Sequence, residues 1–247
     1  MNGNKKIRLD DLLLLHGIAK DKKEAQSLIM SGKIQVNEET VRVPHSRFDN
    51  SVRLNIREEK YVSRGGIKLE GALSDFGIDV RGFVCADIGI STGGFTDCLL
   101  KKGAAKVYGF DVGYGVLNYS LRNDSRVILF ERCNFRKFDV SVISEKVDLI
   151  VMDVSFISVK KIIPNAVEIL KHRGLMLILI KPQFEVPRNK VKKGGIVDDM
   201  RIVENVLFDI KEFLTSLGFE ILGIKPARIK GERGNQEYFI FARMNNL

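Results

Sequence analysis

A run of apolar strands, each followed by a helix and the first by a glycine turn, constrains this chain more than any other feature. Phe83–Ile88 carries apolar residues up to Asp87, and Gly89, Gly93 and Gly94 follow within CADIGISTGGFTDCLL. Beyond it, the pattern predicts strands at 106–111, 127–131, 147–153 and 175–180, with two more at 219–224 and 238–243. Helices are predicted at 94–102, 116–122, 160–172 and 200–217. Strands apolar along their whole length, alternating with helices, specify a mostly parallel sheet covered on both faces. The short connection between the last two strands predicts an antiparallel end.

The glycine turn falls at the carboxyl edge, where open α/β sheets bind ligands. It is not a Walker loop, since no Gly-Lys-Ser/Thr follows, and a dinucleotide GxGxxG would need glycine at Ser91. Asp111 ends the second strand, 24 positions after Asp87, where a carboxylate can accept hydrogen bonds from ribose hydroxyls. Two acids around a glycine turn at this spacing predict an S-adenosylmethionine site. Its contacts are assigned to Asp87, Gly89, Ser91, Thr92, Gly93, Gly94 and Phe95, and to Asp111 and Val112.

Four further residues converge on that edge. Asp153 ends the fourth strand, and Lys181 ends the fifth, with Pro182 stopping the strand behind it. Glu237 opens the last strand, and Lys68 lies on an amphipathic helix at 66–76 whose apolar positions are Ile67, Leu69, Ala72, Leu73 and Phe76. Gly65 and Gly66, just before it, permit close approach of a backbone or ligand. A ribose hydroxyl is a poor nucleophile near neutral pH. A lysine that is partly desolvated and near a second ammonium can accept or polarise its proton. The carboxylates then hold lysines and substrate in line with the methyl group. No metal is required, because transfer from a sulfonium is downhill and alignment supplies most of the rate. The alternative for any one such pair is a structural salt bridge.

Residues 7–56 form a smaller α+β unit. IRLDDLLLLHGIA reads as a helix ending at Gly17, and Asp21 with Glu24 forms a capping box for a second helix that stops at Gly32. KIQVNEETVRV reads as a hairpin, with Ile34 and Val36 alternating before the turn and Val41 and Val43 after it. Arg8-Leu9-Asp10, Lys22, Ala25, Leu28-Ile29, Gly32 and Val36-Asn37 resemble the small RNA-binding domain shared by a ribosomal protein, pseudouridine synthases and tyrosyl-tRNA synthetases. Asp21-Lys22 stands where that family has Ser-Arg. The resemblance implies an RNA-facing surface of Arg8, Lys22, Lys23 and Lys33, to which Arg64 is added from the joining segment. We place the small domain at 1–60 and the large one at 61–247.

YVSRGGIKLEGAL, DIGISTGGFTDCLL, DVGYGVL, DVSFIS, IKPQFE and KGGIV, in this order, resemble the TlyA-type ribosomal RNA ribose 2′-O-methyltransferases, often labelled haemolysins. The large domain also resembles the wider FtsJ-like, Rossmann-like methyltransferases, which use a Lys-Asp-Lys-Glu tetrad. That resemblance implies Lys68, Asp153, Lys181 and Glu237 as catalytic residues, S-adenosylmethionine as cofactor, S-adenosylhomocysteine as product, and cytidine ribose in ribosomal RNA or ribosomal subunits as substrate. Ile90 and Val116 depart from the family's usual Ala and Gln, and are expected to affect pocket shape.

Two other classes compete. The label suggests a membrane-active cytolysin, but the longest strongly apolar run, Leu175 to Ile180, is far short of the roughly 18 residues a spanning helix needs. The polar start MNGNKKIRLDD is no secretory signal. A non-catalytic RNA-binding module would bind cofactor without transferring methyl. Three cysteines with no CxxC fit a reduced, cytoplasmic protein. The net charge of +9 favours a polyanion, and its excess concentrates in 181–193 and 225–233.

Overall fold

The computed structural model describes residues 6–57, 60–231 and 233–245. The chain divides into two compact units, Met1–Lys60 and Tyr61–Leu247.

In the first unit, β1 (Ile7–Arg8) leads into α1 (Leu9–Leu15) and α2 (Lys22–Met30). Then come β2 (Ile34–Val36), β3 (Glu39–Thr40), β4 (Arg47–Phe48) and β5 (Leu54–Ile56). Leu9, Leu13, Ala25, Ile29, Ile34 and Val36 meet in its core. Asp21 caps α2 by accepting from the Glu24 amide at 2.8 Å, while the Glu24 carboxylate returns to the Lys20 amide at 2.8 Å. The hairpin's second strand is Glu39–Thr40, not the expected Val41 and Val43. Asn37 and Glu38 both take positive φ, a two-residue turn that pairs Val36 directly with Glu39.

The second unit runs α3 (Arg64–Phe76), β6 (Val84–Ile88), α4 (Gly94–Lys101), β7 (Lys106–Phe110), α5 (Tyr119–Arg122) and β8 (Val127–Phe130). It continues with β9 (Val147–Met152), α6 (Ile163–Val167), β10 (Leu170–Ile180), α7 (Pro182–Glu185), α8 (Met200–Ser216), β11 (Phe219–Pro226) and β12 (Tyr238–Met244). Among the described residues, these strands form a seven-stranded sheet in the order β11-β12-β10-β9-β6-β7-β8. All neighbours from β10 to β8 pair parallel. The antiparallel strand, β12, inserts between β10 and β11. Leu69, Leu73, Phe95 and Leu99 of α3 and α4 fill one face of the sheet. Ile163 of α6 and Val206, Ile210 and Leu214 of α8 fill the other.

The helix expected over 160–172 is shorter than its apolar pattern suggested. Only Ile163–Val167 is α-helical, and Leu170 already belongs to β10, paired with Val147. A register shift between Leu170 and Leu175 absorbs His172, Arg173 and Gly174, so a strand broken by polar residues read as the end of a helix. The helix expected from Val116 begins at Tyr119, where the Asn118 side chain accepts from the Ser120 amide. In α3, Ile67 is 45% exposed rather than part of the apolar face.

What positions the site is the packing of α3 on α4. A methyl group at Gly94 would collide with Ser63 Oγ and lie 2.9 Å from the Gly66 amide nitrogen and 3.1 Å from Gly65 Cα. The two helix starts therefore touch backbone to backbone. Gly94→Ala should force them apart and cost about 1–3 kcal/mol, as overpacking does. Gly77→Ala, at φ +66° but facing open space, should cost only about 1 kcal/mol. Urea midpoints of the two variants check the ordering, and a smaller loss for Gly94→Ala would contradict this packing.

Candidate active site

Asp87 is fully buried at the end of β6. Its Oδ2 accepts from the Thr96 amide at 3.0 Å and the Thr96 hydroxyl at 2.7 Å, which ties the strand to the start of α4. Its Oδ1 is buried with no partner among the described residues. Burial pushes the carboxyl up to about 7, Thr96 opposes that, and the nearby Asp153 and Asp111 charges add to it.

The glycines work through what they admit. Gly89 has φ +88°, and a Cβ there would lie 2.5 Å from the Asp153 carbonyl oxygen. At Gly93, φ +96°, a side chain would meet Leu121 and, at 2.7 Å, Leu117, so glycine here lets α5 pack closely against the turn. Gly94 and Phe95 are buried, whereas Ser91 and Thr92 are exposed on the turn. Asp111 accepts from the Ser91 amide at 2.8 Å and the Gly113 amide at 2.7 Å. It thus locks two loops together, a role beyond the expected ribose contact. Val112 is 73% exposed beside it. Ile90 and Val116 were expected to affect pocket shape; Ile90 is buried over the space that Gly109 leaves open, and Val116 is exposed.

The four residues from distant parts of the sequence form two ion pairs. Lys68 Nζ lies 2.5 Å from Glu237 Oε2, with both side chains largely buried. Lys181 Nζ lies 2.6 Å from Asp153 Oδ1 and donates to Ser155 Oγ at 2.8 Å. Sheet register explains the convergence. Met152 sits beside Ile88 and Ile178, and Ile180 sits opposite Tyr238, so Asp153, Lys181 and Glu237 all emerge at one edge. Each ammonium is paired with a carboxylate. Ser155 and Thr96 were missed in the sequence; their only signal is their place two residues after Asp153 and two after Gly94.

The residues expected to face RNA are scattered in their engagements. Arg8 grips buried Asp10 through two bonds of 2.9 and 2.8 Å and holds that carboxyl at about 2, while Lys22 pairs with Asp11 at 2.9 Å. Lys23 and Lys33 are exposed. Arg64, in the other unit, donates to the Lys230 carbonyl at 2.9 Å.

Residues 61–244 match the model of the FtsJ-like methyltransferases, and residues 7–51 match the S4 domain. The chain belongs to the FtsJ-like methyltransferase family. A 16S/23S rRNA (cytidine-2′-O)-methyltransferase TlyA of Mycobacterium tuberculosis is 38% identical to it, over 97% of this chain and 90% of that protein. Hemolysin A of Brachyspira hyodysenteriae is 41% identical, over 94% of this chain and 98% of its own length. A solved chain from Streptococcus thermophilus, described as a candidate hemolysin, is 35% identical with a TM-score of 0.77, covering 99% of this chain and 90% of that one.

S-adenosylmethionine is the cofactor this family implies, and the turn suits it. The buried oxygen of Asp87 without a partner among the described residues suits a ligand's ammonium, and the methionyl part of the cofactor carries one. Asp87 also generates a pH signature. Between about pH 4 and about 7, the folded protein holds a proton that the unfolded chain has released, so this group's contribution to stability falls as pH rises through that window. Asp87→Asn has no such proton. Urea unfolding at several pH values should show wild type losing stability relative to the variant from pH 4 to 7; a gain would contradict the burial of a neutral Asp87.

Proposed function

We propose that this FtsJ-like enzyme methylates a cytidine ribose 2′-hydroxyl in ribosomal RNA, using S-adenosylmethionine and working in the cytoplasm. The observation that carries the reading is the pairing of Lys181 with Asp153, and of Lys68 with Glu237, at the sheet edge that also holds the Asp87 turn. When bound, the cofactor supplies a methyl carbon on a sulfonium, ready for in-line displacement. Asp87 Oδ1 would take its ammonium, and the Gly89–Gly94 turn would hold its methionyl part.

With its own proton first released to solvent, the Lys181 amine would accept the 2′-hydroxyl proton while the cofactor supplies the methyl group. Asp153, 2.6 Å away, stabilises the resulting ammonium, and Ser155 fixes its direction. Lys68 is anchored by Glu237 and supplies the second positive charge beside the attacking oxygen. The exposed rings of Tyr114 and Phe156 offer stacking faces to bases near that ribose. An S4-type unit bearing Lys23 and Lys33 adds phosphate contacts. Among the described residues no helix is long and apolar enough to cross a membrane, and nothing in the site favours a cytolysin.

Lys181→Ala should retain cofactor binding and lose nearly all methyl transfer to ribosomal RNA. Lys181→Arg should fare almost as badly, because a guanidinium keeps its proton. If Lys181 were only half of a structural salt bridge, arginine would preserve activity. Single-turnover methylation by the arginine variant at the wild-type rate would therefore remove Lys181 from the chemistry.

The small unit yields a separate expectation. Replacing Lys22, Lys23 and Lys33 together with alanine should weaken RNA binding and flatten its salt dependence, by roughly one unit of log–log slope per lost phosphate contact. An unchanged slope in filter-binding titrations would mean that this face does not meet the RNA.

A further inference from the structure

The charge excess of this chain lies in two stretches far apart in sequence, 181–193 and 225–233, and the structure bolts them together. Asn235, buried at 3% exposure, joins them with both ends of its side chain. Its Oδ1 accepts from the Val197 amide at 2.9 Å, and its Nδ2 donates to the Gly195 carbonyl at 2.7 Å. The first loop is closed on itself by the Lys192–Ile196 bridge. In the second, the Gly231 amide donates to the Asn235 carbonyl at 3.0 Å.

Exposed cations project from both loops: Arg188, Lys190 and Lys193 from one, Lys230 and Arg233 from the other. None of the five has a carboxylate partner among the described residues. Most other cations around them are neutralised, as in Lys192 with Asp198 at 2.7 Å and Arg228 with Asp75 at 2.5 Å. Asp199 is occupied in capping α8, and Glu232 lies outside the described residues. Five exposed cations without carboxylate partners, on loops joined through Asn235, repel one another, which a polyanion would relieve.

The position of this cluster is set from two sides. Arg64, one turn before Lys68 on α3, holds the Lys230 carbonyl. Gly231 lies so close to the Glu237 carboxylate that a Cβ there would collide with Oε1. The cationic loops are therefore continuous with the Lys68–Glu237 pair.

We propose that these two loops form one ridge that holds the phosphate backbone of the RNA beside the Lys68–Glu237 pair, with Asn235 as the residue that positions one loop against the other. The proposal rests on the RNA reading above and adds a surface to it. It differs from the S4-type unit in lying within the methyltransferase unit itself, so it acts on RNA already at the catalytic edge.

Filter binding of the full chain to purified ribosomal RNA, titrated with potassium chloride, tests it. Lys193→Ala with Arg233→Ala removes one cation from each loop. Affinity in 0.1 M salt should fall about tenfold or more, and the log–log salt slope should shrink by about two. Lys146→Ala with Lys211→Ala removes the same charge elsewhere on the unit and should leave the slope within half a unit of wild type. Asn235→Ala removes no charge, yet should shrink the slope by at least one. Calorimetric binding of S-adenosylmethionine should be unchanged in every variant, which verifies folding. Equal slopes for the loop pair and the control pair would overturn the ridge. A wild-type slope in Asn235→Ala would overturn the positioning role. Absence of methyl transfer by the wild type would instead count against the enzymatic reading, and the binding slopes would still decide this one.

Discussion

A methyl group at Gly89 would stand 2.5 Å from the carbonyl oxygen of Asp153, and one at Gly94 would stand 2.9 Å from the amide nitrogen of Gly66. These two backbone approaches bring the end of β9 and the start of α3 against a single turn. Asp153 and Lys68 belong to those elements. Neither could reach the turn's neighbourhood if Cβ atoms intervened, and the two ion pairs would not share an edge. The chemistry of the site thus depends on contacts in which no functional group takes part.

Electrostatics at this edge is a balance of burial against pairing. Asp87, Asp111 and Asp153 crowd together at the ends of neighbouring strands. Asp153 is relieved by Lys181, Asp111 by two backbone amides, and Asp87 by Thr96 on one oxygen only. The remaining oxygen of Asp87 is buried without a hydrogen-bond partner among the described residues, a state that costs free energy in the absence of a ligand. A cationic ligand group at that point would turn the cost into binding energy. On the substrate side the sign reverses. Lysines sit within the site and unpaired cations line the loops that continue from it, as suits a substrate carrying one negative charge per nucleotide.

The parallel sheet was legible because buried strands are apolar along their length, and the glycine turn because its glycines admit φ of +88° and +96° and leave room for the Asp153 carbonyl. Prediction failed where local pattern and long-range pairing disagree. The segment from Leu170 to Gly174 looked like a helix end, since polar residues interrupt it, but Leu170 completes the ladder with Val147. Val41 and Val43 alternate as a strand should, yet the two-residue turn at Asn37 and Glu38 ends the pairing before them. A side chain at Gly93 would strike Leu121 and Leu117, and Ile90 is buried against Gly109. A linear pattern does not reveal these packing contacts beneath the turn.

By itself, the amino-acid sequence determined the architecture and the identity of the four residues that converge, and its motifs carried the resemblance to the family. The architecture and the convergence follow from periodicity and from residue types at strand ends, both of which are local; the family follows from matched motifs. Only the tertiary structure decided how the four are coupled. Lys181 faces Asp153 because β10 pairs parallel with β9, and Lys68 faces Glu237 across 169 positions because β12 inserts antiparallel beside β10. It alone also showed that Asp87 keeps an unsatisfied oxygen and that Asn235 joins two basic loops. Those facts depend on register and burial, which arise when distant segments compete for the same space.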